Sequence, residues 1–156
     1  MYAMVPVDGG TIYAETDLTV FFSEPWNAIS SLAIVLPAVY WAFRLRWNIR
    51  EYGFLYFLMP FLFLGGTGSV LFHAFRSSRL LLMMDVWPTA LVTLSVGIYF
   101  WNKILAKKWQ VASVVAPFTF LRFVIADYYG GQFAVNLSYF LTGFLIFFPV
   151  LFYLHR

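Results

Sequence analysis

Five long apolar runs, joined by short polar connections, constrain this chain more than any single motif in it. They cover residues 26–43, 53–75, 80–101, 109–126 and 133–154 of 156. Each is close to the roughly 20 residues that an α-helix needs to cross a hydrocarbon core. Membrane β-strands need only about 10. Unbroken apolarity hides any helix or strand period, so length decides. The expected fold is all-α: one multi-pass integral membrane bundle over residues 1–156, with five transmembrane helices. Residues 1–23 are more polar and predict an extramembrane segment that folds back on the bundle. Composition agrees, with 62% hydrophobic and 11% charged residues, against roughly 45–50% and about 25% in soluble domains.

Boundary signals support these spans. Ser23 is a good N-cap and Pro25 suits a first helical turn. Trp26, Trp47, Trp101 and Trp109 lie near the predicted ends, where interfacial aromatics concentrate. Pro37, Pro60, Pro88, Pro117 and Pro149 fall within or near the spans, which a bundle tolerates when neighbours satisfy the freed carbonyls. There is no cysteine, so disulfides and thiolate metal sites are excluded. The formal charge of +3 is spread over several loops, so nothing points to nucleic acid as a partner. Membrane lipid is the expected surrounding.

Orientation follows from the loops. Arg44, Arg46 and Arg50 fill the first, Lys103, Lys107 and Lys108 the third, and Arg156 ends the chain. The N-terminal segment is acidic, and the fourth connection has Asp127 and no Lys or Arg. By the positive-inside rule the N-terminus is outside or lumenal, with Arg76 and Arg79 in the second loop pulling the other way. This topology gathers Glu24, Asn27, Ser69, His73, Asp85, Arg122, Asp127 and Asn136 in one half of the membrane. A transporter would need a polar path through both halves, and the other half is almost wholly apolar.

Ionisable groups at membrane depth are costly and point to function. Ser69 and His73 are at i and i+4 and share a helix face. Packing explains that spacing as well as chemistry does, because Gly65-x-x-x-Ser69 is a small-xxx-small signal. Asp85 either caps the third helix or stands in the site as a desolvated carboxylate. Glu24, Asn27 and Ser31 share a face of the first helix, with Ser30 nearby, so Asn27 and Ser30 are candidate polar support. Glu15, Asp17 and Glu24 are hard oxygen donors of the type that binds calcium. His155, at the opposite end of the fifth helix, lies roughly a full core thickness of 30 Å from His73 and is not a partner for it.

Taken in order, Ile12-Tyr-Ala-Glu-Thr16, Glu24-Pro-Trp-Asn-Ala-Ile-Ser30, Gly66-Thr-Gly-Ser-Val-Leu-Phe-His73 and Asp85-Val-Trp-Pro88 resemble the alkaline ceramidases, within the CREST superfamily of membrane hydrolases. The resemblance covers about residues 11–90. It implies a seven-helix fold with zinc near the outer face: His73 a zinc ligand, Ser69 beside the metal, and Asp85 against the attacking water. It also implies a calcium site at Glu15, Asp17 and Glu24, although Thr11 and Ala14 depart from the family pattern. The family's other zinc ligands are paired histidines on the seventh helix, and no such pair occurs here. The resemblance therefore predicts a chain lacking the last two helices, which would carry the remaining ligands. The expected activity is zinc-dependent hydrolysis of the amide bond of ceramide-like lipids, with Ser69 and Asp85 as catalytic residues. The competing expectation is a non-catalytic receptor-like or scaffold protein of the same fold.

Overall fold

The computed structural model describes residues 8–45, 48–129 and 131–155, without the side chains of Ala126, Asp127, Gly131 and Gln132. Among them are five helices and no strand: α1 (Pro25–Arg44), α2 (Ile49–Phe75), α3 (Arg79–Ile104), α4 (Lys108–Tyr128) and α5 (Gly131–His155). Each apolar run is thus a helix, extended by up to four residues at its ends. In α2 the backbone leaves helical geometry at Tyr52 (φ −115°, ψ 26°), so the regular helix starts at Gly53. Helices α1, α2, α3 and residues 133–155 are long and apolar enough to cross a membrane. Helix α4 is not among these four; Lys108, Gln110, Ser113, Thr119 and Arg122 dilute its apolar character.

The chain divides into two compact units, residues 1–92 and 93–156. In the first, α2 is the central element, and its Gly65-Gly-Thr-Gly-Ser69 stretch explains why. A Cβ on Gly66 would stand 2.8 Å from Val35 Cγ2 and 3.0 Å from the Val35 nitrogen, on α1. A Cβ on Gly65 would stand 2.8 Å from Thr89 Oγ1, and one on Gly68 only 2.5–2.8 Å from the Met84–Asp85 backbone, on α3. Neighbouring glycines therefore let two different helices approach α2 on different sides. Small residues are the usual means of close helix approach in membranes. The Met84 carbonyl also lacks a helical donor, because its partner four residues on is Pro88; Gly68 lies against this freed group.

The second unit solves a proline problem in the same way. Pro149 leaves the Leu145 carbonyl without a helical N–H, and the Trp101 indole N–H donates to it at 3.0 Å. Trp101 is consequently buried, with 7% exposure, rather than interfacial as its position near a helix end suggests. It packs with Val111, Val115 and Leu145 and stacks on Phe148, while Phe118 and Phe144 stack nearby. Trp26 and Trp109 are exposed, as interfacial residues are; Trp47 lies outside the described residues. An apolar groove of about 650 Å³ runs along α4, from Leu94 and Ile98 to Phe120 and Phe123.

Gly68→Ala is expected to destabilise the protein by about 1–3 kcal/mol or more, the usual cost of overpacking, because backbone cannot move aside as a side-chain tip can. Gly53, with open space around it, serves as the control: Gly53→Ala should be neutral or slightly stabilising. Thermal unfolding in detergent checks both, and equal effects at the two positions would count against the close α2–α3 approach.

Candidate functional site

The N-terminal segment is tied to the ends of α1 and α2, and each tie replaces a simpler local device. Ser23 does not cap α1. The N-cap is Glu24, which makes no side-chain capping bond, and Pro25 occupies the first turn. The first free amides are instead satisfied by Glu15: its Oε2 accepts from the Trp26 N–H at 2.9 Å, and its Oε1 from the Asn27 N–H at 2.7 Å. A carboxylate there also suits the positive end of the helix dipole. Ser23 is buried, and its N–H donates to the Ala74 carbonyl near the end of α2 at 2.9 Å.

This leaves the Glu24 side chain free to turn inward, with no exposure to solvent. Its Oε1 accepts from Arg76 Nη1 and from the Thr16 hydroxyl. Its Oε2 faces His73 Nδ1 and accepts a longer bond from Asn27 Nδ2 at 3.4 Å. Arg76 is the residue that the sequence reading undervalued. Its Nε and Nη2 donate to the two Asp8 oxygens at 2.8 and 3.0 Å, and its Nη1 also donates to the Thr11 carbonyl at 2.8 Å. The Phe72 ring lies 4.8 Å beneath the guanidinium. An arginine among acidic loops was the available signal, but its partners are 52 and 68 residues away, beyond any local pattern.

His73 sits between rings, 5.1 Å from Phe72 and 5.6 Å from Tyr13 of the N-terminal segment. Its Nε2 lies 4.0 Å from Asp85 Oδ2. Asp85 is well inside α3, which begins at Arg79, so the capping alternative is wrong; at the start of the helix the Ser78 hydroxyl accepts a long bond, 3.4 Å, from the Leu81 N–H. Ser69 is buried beside Asp85 and shares a 3.0 Å hydrogen bond with Ser31 of α1. Ser31 and Ser30 both donate to the Asn27 carbonyl, at 2.7 and 3.0 Å, but Ser30 is exposed. The polar support from α1 therefore comes from Asn27 and Ser31, not Ser30.

Ser69, His73, Asp85, Glu24 and Asn27 thus form one group. Glu15 is its N-terminal brace, and Asp17 stands apart, exposed and accepting from the Thr19 hydroxyl and N–H at 2.6 and 2.9 Å. Arg122 lies in the other unit, where its Nε donates to Ser138 at 2.9 Å; the Asp127 side chain lies outside the described residues. Among the described residues no three His, Asp or Glu side chains stand close enough together to hold a metal ion. The fit to zinc is partial: His73 Nε2 and Asp85 are a nitrogen and an oxygen donor too far apart for a hydrogen bond and near enough to share one ion. The fit to calcium is poor. Glu15 and Glu24 spend both oxygens on separate protein donors, Asp17 Oδ1 is bonded to Thr19, and a guanidinium already lies against Glu24. Comparison with protein-family models, with curated proteins and with solved structures finds no match to the chain.

Burial opposes ionisation of Asp8, yet hydrogen bonds from Arg76 and the Gly10 N–H, with the guanidinium's charge, outweigh it and hold the carboxyl below its usual value. The same balance holds for Glu24, where burial is outweighed by bonds from Thr16, His73 and Arg76. A carboxyl depressed on folding stabilises the folded state above its unfolded pKa, about 4, and that contribution is lost as pH falls through the folded value. Docking of residues 8–23 should therefore hold from neutral pH down to about 4.5 and weaken below it. Hydrogen exchange at the Ser23 amide, corrected for intrinsic rate, reads this directly. Asp8→Asn should weaken docking at neutral pH by about 1.5–3 kcal/mol, the worth of hydrogen bonds to a charged group, because Arg76 keeps Glu24 as its counter-charge. It should also leave only the part of the acid response that belongs to Glu24.

Proposed function

We propose that the chain carries one side of a zinc-dependent membrane hydrolase site, of the alkaline ceramidase kind, that cleaves the amide bond of ceramide-like lipids. The supporting observation is His73, a nearly buried imidazole with Nδ1 against the Glu24 carboxylate and Nε2 toward Asp85. Metal-ligating histidines regularly give their other ring N–H to a carboxylate, which fixes the ring and raises its basicity. Charge favours the same reading. Asp8 and Glu24 face one guanidinium, so one negative charge is in excess before Asp85 is considered, and a cation beside Nε2 would be welcome.

Zinc, when bound, supplies a Lewis acid that polarises a carbonyl and makes water nucleophilic near neutral pH. His73 Nε2 would be one of the three protein ligands that a catalytic zinc requires, with Asp85 beside it to face the water. Asp85 would take a proton from the attacking water and return it to the leaving amine. The Ser69 hydroxyl, whose hydrogen rests on Ser31 because Ser31 donates its own to Asn27, would turn to donate to the oxyanion. The apolar helix surfaces would hold the acyl chain. In the same reading all five helices cross the membrane, the N-terminus is outside or lumenal, and Arg44, Arg50, Lys103, Lys107 and Lys108 lie inside.

The natural protein, purified in detergent, should contain about one zinc per chain and release fatty acid from a ceramide. His73→Ala should lose both. Asp85→Asn should slow turnover by about 10²–10⁴-fold, the range of general acid–base catalysis. A protein without stoichiometric zinc, or with turnover untouched by His73→Ala, would sink the reading. Topology is tested separately. Because the chain has no cysteine, Ala14→Cys and Ala106→Cys each give a single label site. In intact vesicles an impermeant maleimide should reach only the first from the outer or lumenal side.

A further inference from the structure

The Arg76 backbone is as unusual as its side chain. It ends α2 in the left-handed region, φ 46° and ψ 29°, with its N–H donating to the Phe72 carbonyl at 2.7 Å. Helices often end this way, but the residue is normally glycine, since a Cβ in this region costs roughly 1–2 kcal/mol. Arginine at this position therefore has a side-chain reason, and its contacts supply one. The guanidinium is fully buried and lies between Asp8 and Glu24, with a further donor contact to the Thr11 carbonyl. Gly10 makes the room: a Cβ on it would stand 2.7 Å from the Phe72 ring and 3.1 Å from Arg76 Nη2.

The hydrogen-bond inventory of Glu24 carries the argument to His73. Thr16 Oγ1 accepts from the Tyr13 N–H at 2.7 Å, so its own hydrogen points to Glu24. Arg76 and Asn27 Nδ2 only donate. A carboxylate ringed by such donors is in its acceptor-only, ionised form, and the group facing it across His73 Nδ1 must be an N–H. In a neutral imidazole that leaves the lone pair on Nε2, toward Asp85.

We propose that Arg76 is the site's built-in cation: it ties the N-terminal segment to the site through Asp8, and, through Glu24, it is a positioning residue that fixes His73 as the Nδ1–H tautomer. The inference rests on reading His73 as the functional imidazole, but it concerns only this chain's own groups and needs neither zinc nor turnover to be tested. It also replaces the calcium site expected at Glu15, Asp17 and Glu24.

The chain has two histidines, so 15N-histidine labelling gives two imidazoles, with exposed His155 as the internal control. The full protein is stripped of zinc and held at about pH 8.5, where an ordinary imidazole is neutral. His73 should then show one tautomer, pyrrole-type Nδ1 and pyridine-type Nε2, while His155 shows the mixture of a free side chain. Arg76→Gly relieves the backbone while removing the guanidinium, so the fold should survive. His73 should then populate both tautomers, and exchange at the Ser23 amide should rise at least tenfold. Arg76→Lys should restore docking in part. Calcium chloride or a calcium chelator should change neither readout in the wild type. Glu24→Gln, whose amide can either accept or donate, should also mix the tautomers if Arg76→Gly fails to fold.

A wild-type His73 carrying its proton on Nε2 would overturn the proposal. So would an unchanged tautomer in Arg76→Gly or Glu24→Gln, or release of the N-terminal segment by the chelator. Absence of zinc or hydrolysis with the tautomer pinned as expected would instead count against the hydrolase reading and leave Arg76's role standing.

Discussion

One buried carboxylate, Glu24, connects everything that distinguishes this molecule from an anonymous stack of apolar helices. It stands where α1 begins, yet it does not serve α1. Glu15, reaching across from the N-terminal segment, takes the capping role, and Glu24 is released to face Arg76 and His73 on α2. A carboxylate with no solvent is tolerable only when its charge is matched and its lone pairs are filled. Both conditions are met here by groups from three places in the chain: Thr16, Asn27, and the His73–Arg76 end of α2. Removing any one leaves a buried charge short of partners, which makes the network a unit rather than a set of separable contacts.

The helix packing beneath that network follows from a different constraint. Helices in lipid gain little from burying apolar side chains against each other, so close approach and satisfied polar groups must hold them. Gly65, Gly66 and Gly68 provide the approach, and they do so within the two turns that lead to Ser69 and His73. The distance from His73 Nε2 to Asp85, 4.0 Å, is therefore set by backbone contact between α2 and α3, with Gly68 against Asp85's own amide. Structural glycine and chemical side chain belong to the same few residues because one places the other.

The helices were legible from length and apolarity alone, and their ends were wrong by only a few residues. The group of Ser69, His73, Asp85, Glu24 and Asn27 was legible too, since spacing and depth brought it together. Three things were not. Ser23 looked like the cap of α1 because capping is usually local, while the true cap, Glu15, acts over 11 residues. Trp101 looked interfacial because it stands near a helix end, but Pro149 had opened a carbonyl that its indole could fill. Arg76 looked like loop charge, because pairing with Asp8 and Glu24 depends on a fold-back that leaves no periodic trace in sequence.

That last misreading also bears on orientation. Arg76 and Arg79 were the residues that opposed the positive-inside assignment, and the positive-inside rule counts charges because a free cation is costly to translocate. Arg76 is not free: it is buried and offset by two carboxylates from the same side of the chain. Among the described residues, Arg79 is then the one unpaired basic residue of that loop that the Lys/Arg count sets against the first and third loops. Read with its partners, Arg76 is a weaker objection to the proposed topology than it is when read as a letter.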